Sequence, residues 1–543
     1  MVYSHLTHYT IITDFLKMEL HPIIRSVLYL IVAVLTSIFV NVVRQYLPRP
    51  KSEPPLIFHW LPIISNVIEY GTDPFKFYER CRAKHGNIFT FVLLGKKMTV
   101  CLGPEGNEFV LNGRVSDVNA EDIYGPLTTP IFGSDVIYDC PNAKLMEQKK
   151  FVKFGLTQQA LESYVPLIEG EVLNYLDTSK CFRGTSGKVN ISTAMAEITL
   201  FTAGRALQGA EVRKKLTAQF AELYHDLDMG FQPINFLMPW APLPQNRRRD
   251  AAHLKMRSVY MDLIKDRRRK FVDNKFGEID VDKEPDSNST SANYSPSDLK
   301  LLTRFAAVIS NLMSCIYRSG QPVPDKEIAN LMITMLMGGQ HSSSPASQKN
   351  YTTNKGRASS LGATTRLLSL SDLDKLPLLA NVIKETLRVH SSIHSIMRKV
   401  VRPIAVPGTD YVITPDKVLV SSPIVSHMSP EHFVDPERWD PHRWDHHIEV
   451  ADADDVVDYG YGVTSKGTKS PYLPFGAGRH RCIGEKFAYL NLATIIVTIV
   501  RNMKLRTVDG SDAVPPTDYS SLFSRPVQSC EILWERRETE SST

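Results

Sequence analysis

The stretch 474–500 (PFGAGRHRCIGEKFAYLNLATIIVTIV) constrains this chain more than any other. A glycine-rich loop carries one cysteine, Cys482, directly into an amphipathic-to-apolar helix that opens at Gly484. A thiolate there is expected to be favoured by the helix N-terminus, by backbone N–H donors and by Arg479, His480 and Arg481. Phe475 is placed to keep water from the sulfur, Gly478 permits a tight turn, and Gly484 lets the backbone approach a flat group closely. Such surroundings keep a lone thiolate as an iron ligand instead of leaving it to oxidise. A cysteine alone would read as a small buried residue beside a turn. With F-x-x-G-x-H-x-C-x-G complete, the ligand reading is preferred.

The N-terminal end adds a second constraint. Residues 26–43 (SVLYLIVAVLTSIFVNVV) are uncharged and mostly apolar, between Arg25 and Arg44. At helical rise they span about 27 Å, close to the roughly 30 Å hydrocarbon core of a bilayer. The run starts late and no small-residue cleavage site follows it, so it reads as a transmembrane anchor after an N-terminal segment 1–25. Residues 44–56 form a stiff Pro-rich linker. Arg44, Arg49 and Lys51 outnumber Lys17 and Arg25, which leans toward a cytosolic body.

Residues 57–543 show no repeat and no further linker, and read as one domain. The alternation over 87–103 predicts a β-hairpin turned at Gly95-Lys96. Residues 371–390 predict a helix with Ser371 as N-cap and Asp374 three residues on. Residues 325–337 begin with acids and become apolar all round, as a buried helix does. The expected architecture is mainly α with a small β portion, preceded by one transmembrane helix. Net charge is +5 from 63 basic and 58 acidic residues, too mixed to imply a nucleic-acid partner. Cys81, Cys101, Cys140, Cys181, Cys315, Cys482 and Cys530 form no C-x-x-C pair, so neither a zinc site nor a disulfide framework is suggested. Two stretches are out of character. Residues 275–297 are polar and loop-like, with glycosylation-like triplets at Asn288 and Asn293 that carry no meaning in a cytosolic body. Residues 344–365 interrupt the buried helix at Pro345 and then offer almost nothing apolar.

The cysteine loop resembles the haem-binding signature of the cytochrome P-450 superfamily, in which the cysteine is the proximal iron ligand. Glu385-Thr386-Leu387-Arg388 matches that family's E-x-x-R, although any helix can carry such a pair on its surface. Asp440-Pro441-His442-Arg443-Trp444 follows at the expected place, and Arg443 resembles the third member of a structural Glu-Arg-Arg network. Two further motifs are similar to sterol (lanosterol) 14α-demethylases, those of fungi in particular. One is YGPLTTPIFG at 124–133, continuing to VIYDC at 136–140. The other is GGQHSS at 338–343, where most relatives in the superfamily place an acid before the alcohol.

The resemblance implies a cytochrome P-450 fold holding haem b through Cys482. It implies that His341 and Ser342 relay protons; a helix-bend histidine is the rival for His341. Tyr124, Tyr138, Lys149, Arg398 and His480 resemble haem-propionate contacts, while Lys149 and Arg398 would serve equally as solvated surface charges. Leu127, Thr128, Phe132, His394, Ser395 and Leu522 resemble cavity-lining positions, with core packing the rival for the apolar ones. Residues 229–240 (MGFQPINFLMPW) would border a membrane-facing entrance. The activity implied is oxidative 14α-demethylation of lanosterol or eburicol in sterol (ergosterol) biosynthesis. Its partners would be O2, an NADPH-dependent reductase, the sterol and membrane lipid. The place implied is the endoplasmic reticulum membrane, single-pass. The same chemistry on another lipophilic substrate, or an impaired haem-binding product of an altered splice or frame at 344–365, are the alternatives.

Overall fold

A computed structural model describes residues 22–62, 66–216, 218–232, 234–276, 308–353, 367–445, 456–510, 516–519, 521–526 and 530–537. Within these, the side chains of 22, 23, 218, 219, 237, 270–276, 340–353 and 526 lie outside the description. The polar stretch from 277 onward, with Asn288 and Asn293, therefore falls outside the described residues.

Helix α1 (Pro22–Tyr46) is the expected anchor, longer at both ends. Its stretch Ile24–Tyr46 is apolar over 23 residues and none of it is buried. That distribution suits hydrocarbon and not a soluble core. The linker behind it is docked on the body. Ser52 O accepts from Val412 N at 2.8 Å, and Lys417 Nζ donates to the Glu53 carboxylate at 3.1 Å.

The alternating segment forms β1 (Ile88–Leu93) and β2 (Lys96–Cys101), antiparallel with Leu93 opposite Lys96. The turn residues are thus Leu94 and Gly95, with φ of 51° and 77°, one position earlier than the predicted Gly95-Lys96. Two positive φ values match the twist of a two-residue hairpin. The pairing sets the buried Phe91 opposite Met98 and Phe89 opposite Val100. With β3 (Val118–Asn119), β4 (Ile396–Val400) and β5 (Lys417–Ser421) the hairpin makes one sheet in the order β1-β2-β5-β4-β3, of which only β2–β5 is parallel.

The rest of the body is mainly helical. Helix α2 (Glu121–Phe132) carries the tyrosine-bearing motif and ends at Gly133, whose φ is 93°. A Cβ there would sit 2.3 Å from the Asn330 side chain. Helices α3 (Asn142–Lys153) and α4 (Pro244–Phe276) follow. The long helix α5 (Asp325–Thr353) starts with Asp325 and Glu327 and buries Ile328, Ala329, Leu331, Met332, Ile333, Leu336 and Met337, as its all-round apolarity predicts.

Helix α5 does not stop at Pro345, contrary to expectation. The proline forfeits one backbone bond at a cost of about 3 kcal/mol, but Ala346, Gln348 and Lys349 are good helix formers that carry the ladder to Thr353. Residues 354–366 lie outside the described residues.

The predicted single helix over 371–390 is two: a short turn Leu370–Asp374, then α6 (Pro377–Val389). Pro377 forces Leu376 out of helical space, to φ −114° and ψ 66°. The cap is Ser369 with Asp372, not Ser371 with Asp374. Helix α7 (Glu485–Asn502) follows the cysteine loop and packs against α5.

Candidate active site

The loop before α7 is shaped by two glycines at positive φ, Gly476 (67°) and Gly478 (66°). A Cβ on Gly478 would lie 2.4 Å from the Leu111 carbonyl, so the tight turn there does require glycine. Gly484 has an ordinary φ of −87° and caps α7. Cys482 N donates to Phe475 O at 3.0 Å, and Phe475 itself is buried against Tyr489.

Cys482 keeps accessible surface, yet the surrounding protein is dense enough that burial pushes its thiol up. Glu485 adds to the rise, while the Gly484 N–H, Lys149 and Arg481 oppose it. The Gly484 N–H and Arg481 thus favour the thiolate, as the loop predicts, and burial opposes them. A bound metal ion takes the proton off a coordinating thiol outright.

Five predicted residues converge beside this loop from four parts of the chain. The Tyr124 and Tyr138 rings lie 5.1 Å apart, and Tyr138 is 5.8 Å from His480. Lys149 Nζ donates to Arg479 O and Arg481 O, both at 2.9 Å. Arg398 on β4 is buried, and its only described bond is to Met397 O at 2.8 Å. Tyr124 Oη accepts from Met397 N at 3.0 Å and keeps its own proton to donate. Burial pulls Lys149 down to about 7, helped by Arg398, Arg479 and Lys153 and opposed by Cys482. Burial, then Arg398, Lys149 and Arg479, hold His480 well below its usual value.

Among the described residues no carboxylate pairs with Lys149, Arg398 or His480. Buried cations without a counter-charge are costly, so this donor set calls for an anionic ligand. A haem with two propionates fits: phenol and cation donors on one side, a thiol beside them. Arg398 is buried, and half-buried Lys149 is tied to two loop carbonyls, which speaks against the solvated surface-charge reading of both.

The predicted structural network is assembled. Arg388 donates to both Glu385 oxygens, at 2.9 and 2.8 Å, and Arg443 Nε donates to Glu385 Oε1 at 2.9 Å. Glu385 and Arg388 side chains are 0% exposed. Burial alone would raise the Glu385 carboxyl, but Arg388, the Asp440 N–H and Arg443 hold it below its usual range. Two members were missed. Trp444 Nε1 donates to Glu385 Oε2 at 3.0 Å, and the His427 ring accepts from Leu473 N at 2.7 Å while its own carbonyl takes a bond from Arg388. Burial and Arg388 hold His427 down to about 3, so its ring is neutral and can accept. Trp444 sits next to Arg443 in the motif and could have been included; nothing in the spacing points to His427.

The six cavity candidates separate into two groups. His394, Ser395 and Leu522 line a narrow apolar cavity of about 110 Å³ together with Phe236. Leu127 and Phe132 pack into the core with Leu331 and Leu336 of α5, and Thr128 Oγ1 donates to Tyr124 O at 2.9 Å. Leu522 and Ile483, the neighbour of Cys482, touch that same core cluster, so the two groups adjoin. Tyr70 and Tyr78, not anticipated, donate to or share protons with Ser395 Oγ at 3.0 and 2.8 Å. The backbone of α5 carries His341 and Ser342, whose side chains lie outside the description. Just before them, a Cβ on Gly339 would lie 3.2 Å from Ala203, whereas one on Gly338 would meet nothing within 4 Å. One face of this turn is packed and the next is open.

The profile of the cytochrome P450 family matches residues 54–349 and 359–534. The break at 350–358 falls inside the stretch 344–365. "Sterol 14-alpha demethylase CYP51A" of Gibberella zeae is 57% identical over 525 residues, covering 94% of this chain and 98% of its own length. "Sterol 14-alpha demethylase cyp51A" of Aspergillus fumigatus is 56% identical over 545 residues, 96% and 99%. "Eburicol 14-alpha-demethylase" of Penicillium italicum is 54% identical over 518 residues, 93% and 96%. The solved structure "Retinoic acid bound cyanobacterial CYP120A1" superposes with a TM-score of 0.68 at 16% identity, over 89% of this chain and 99% of that one; this likeness concerns the fold alone.

Proposed function

The chain belongs to the cytochrome P450 family, and from that premise we infer that it is a membrane-anchored haem–thiolate monooxygenase that removes the 14α-methyl group of a sterol, lanosterol or eburicol. One observation carries the substrate: relatives named for this activity are 54–57% identical along almost the whole chain. Haem held by a thiolate supplies the activation of O2, with electrons from a redox partner, here an NADPH-dependent reductase.

The chain's own residues do the rest. Cys482 would hold the haem iron through its sulfur, and Phe475 would exclude water from it. Lys149, Arg398 and His480, with the Tyr124 and Tyr138 hydroxyls, hold the two propionates. Leu127, Thr128 and Phe132 orient the sterol from α2, and His394, Ser395 and Leu522 do so from the cavity. His341 and Ser342 would hold and pass a proton at the reacting site. Glu385, Arg388 and Arg443 support the loop without touching the reaction. The anchor α1 crosses the endoplasmic reticulum membrane once, with the body in the cytosol and in contact with lipid.

Reconstitution with a reductase, NADPH and lanosterol or eburicol tests this reading. The expected result is a low-to-high-spin shift on sterol addition and release of the 14-desmethyl sterol. A shift with a fatty acid and none with either sterol would refute the substrate assignment and leave the reaction class standing.

A further inference from the structure

The hairpin of residues 456–465 lies against the cysteine loop and has no part in the assignments above. Its strands Val456–Asp458 and Val463–Ser465 pair antiparallel, Val463 opposite Asp458. Between them runs Tyr459-Gly460-Tyr461-Gly462. Asp458 Oδ1 accepts from Gly460 N at 2.7 Å and from Gly462 N at 2.9 Å, which fixes the turn. The two glycines stand at φ 109° and 98°, a backbone that side-chain-bearing residues rarely adopt.

This turn sets two aromatic rings against two cations, Lys149 of α3 and Arg479 of the loop. The Lys149 ammonium lies 4.4 Å from the Tyr461 ring centre, and the Arg479 guanidinium 4.9 Å from that of Tyr459. Tyr461 is buried with Cys140, Leu145 and Met146, against Ile483. Its hydroxyl is buried and has no hydrogen-bond partner among the described residues. The chain leaving the hairpin stays on the loop: Gly478 N donates to Lys466 O at 2.8 Å, and a Cβ on Gly467 would meet Arg481 Nη1 at 2.6 Å.

We propose that this hairpin is a clasp for the cysteine loop, with Tyr461 a positioning residue that retains haem by fixing the Lys149 ammonium. Lys149 links two sides of the site. It donates to the carbonyls of Arg479 and Arg481, on the N-terminal side of Cys482, and it belongs to the donor set that fits the propionates. A buried ammonium needs compensation, and the π face of Tyr461 supplies it where water is excluded. Removing the ring frees Lys149 to turn toward solvent, and the loop carbonyls lose their donor.

The proposal rests on the haem–thiolate reading, and the experiment separates the two. Full-length holoprotein in detergent is mixed with excess apomyoglobin and haem transfer is timed. Tyr461→Leu, which keeps apolar bulk without the ring, should lose haem about tenfold faster, a factor between those of an exposed and a desolvated cation–π contact. Tyr461→Phe should stay within about twofold of the parent, since the ring is kept. In a Lys149→Met background, Tyr461→Leu should add no more than about twofold. A parental rate in Tyr461→Leu, or an undiminished tenfold effect without Lys149, would overturn the clasp. Should Tyr461→Leu show no helical far-ultraviolet signal, Tyr459→Leu takes its place, with an expected acceleration of about threefold; a parental rate there overturns the proposal too. A parent protein without any reduced-CO band would instead refute the haem–thiolate reading.

Discussion

Cys482 is held by groups that oppose one another. Burial and Glu485 raise its thiol; the Gly484 N–H, Lys149 and Arg481 pull it down, and desolvation wins. Its service as an iron ligand therefore depends on the metal as much as on the loop. Cys482→Ala should abolish the reduced-CO band from which the family takes its name; an unchanged spectrum would remove Cys482 from the site. Glu385 is the opposite case, a fully buried carboxylate with two guanidinium partners and two further N–H donors. Glu385→Gln leaves Arg388 buried without a counter-charge and should cost about 3–5 kcal/mol in urea unfolding. The carboxyl is depressed in the folded state, so its contribution is complete above the unfolded value of about 4.3 and is lost as pH falls through the lower folded value. The stability gap between parent and variant should thus narrow in acid; a gap independent of pH would mean that charge is not what Glu385 contributes. At this scale the motif residues were legible, because a ligand and its immediate neighbours are adjacent along the chain. His427, Tyr70 and Tyr78 were not so placed: they reach their partners only through packing.

Among the elements, the long helix α5 carries the two residues proposed to relay protons, His341 and Ser342. Its first half is locked by buried Ile328, Leu331, Met332, Ile333, Leu336 and Met337. The backbone continues past Pro345 to Thr353, yet the sequence of 344–365 contains few apolar residues, and the family profile breaks at 350–358 within it. Each large apolar side chain missing from such a face forgoes about 1.5–3 kcal/mol. His341 and Ser342 depend on this helix for placement within hydrogen-bond reach of the reaction. A version carrying an apolar helix at 344–365 should therefore melt at higher temperature and turn over sterol faster than the chain as it stands. Equal turnover would show the segment to be harmless. The cysteine loop and the Glu385 network lie elsewhere, so both versions should bind haem. The boundary errors at this scale share a cause. Leu94-Gly95, Ser369 and Pro377 mark element ends, and a shift of one or two residues there is made by turn geometry, by capping and by the residue before proline, which periodicity does not encode.

The whole molecule is a helical body with its anchor fixed to it. Gln45 Nε2 donates to His59 O at 2.7 Å and His59 N donates back to Gln45 Oε1 at 2.9 Å, while Asn41 Nδ2 donates to the His59 and Trp60 carbonyls at 2.9 and 3.0 Å. Exposed Tyr46, Phe58 and Trp60 continue the apolar surface of α1 onto the body, as side chains at a bilayer interface do. Deleting residues 1–47 removes both span and clamp. The truncated protein should move from the carbonate-resistant membrane pellet toward the soluble fraction and keep its reduced-CO band. In sealed microsomes the body of the full chain should be open to added protease; protection would place it in the lumen and reverse the orientation.

Much of the chemistry was readable without coordinates, because a thiolate loop, an E-x-x-R helix turn and an apolar span are each written within a short contiguous stretch. Backbone spacing alone brings their groups together. The tertiary structure decided what lies far apart in sequence. It turned Lys149 and Arg398 from two possible surface charges into a half-buried and a buried cation beside His480. It divided the cavity residues into an α2 group within the core and a β4-side group around Ser395, and it laid the 456–465 hairpin against the cysteine loop. Burial and convergence are properties of packing between distant segments, and no local period specifies them.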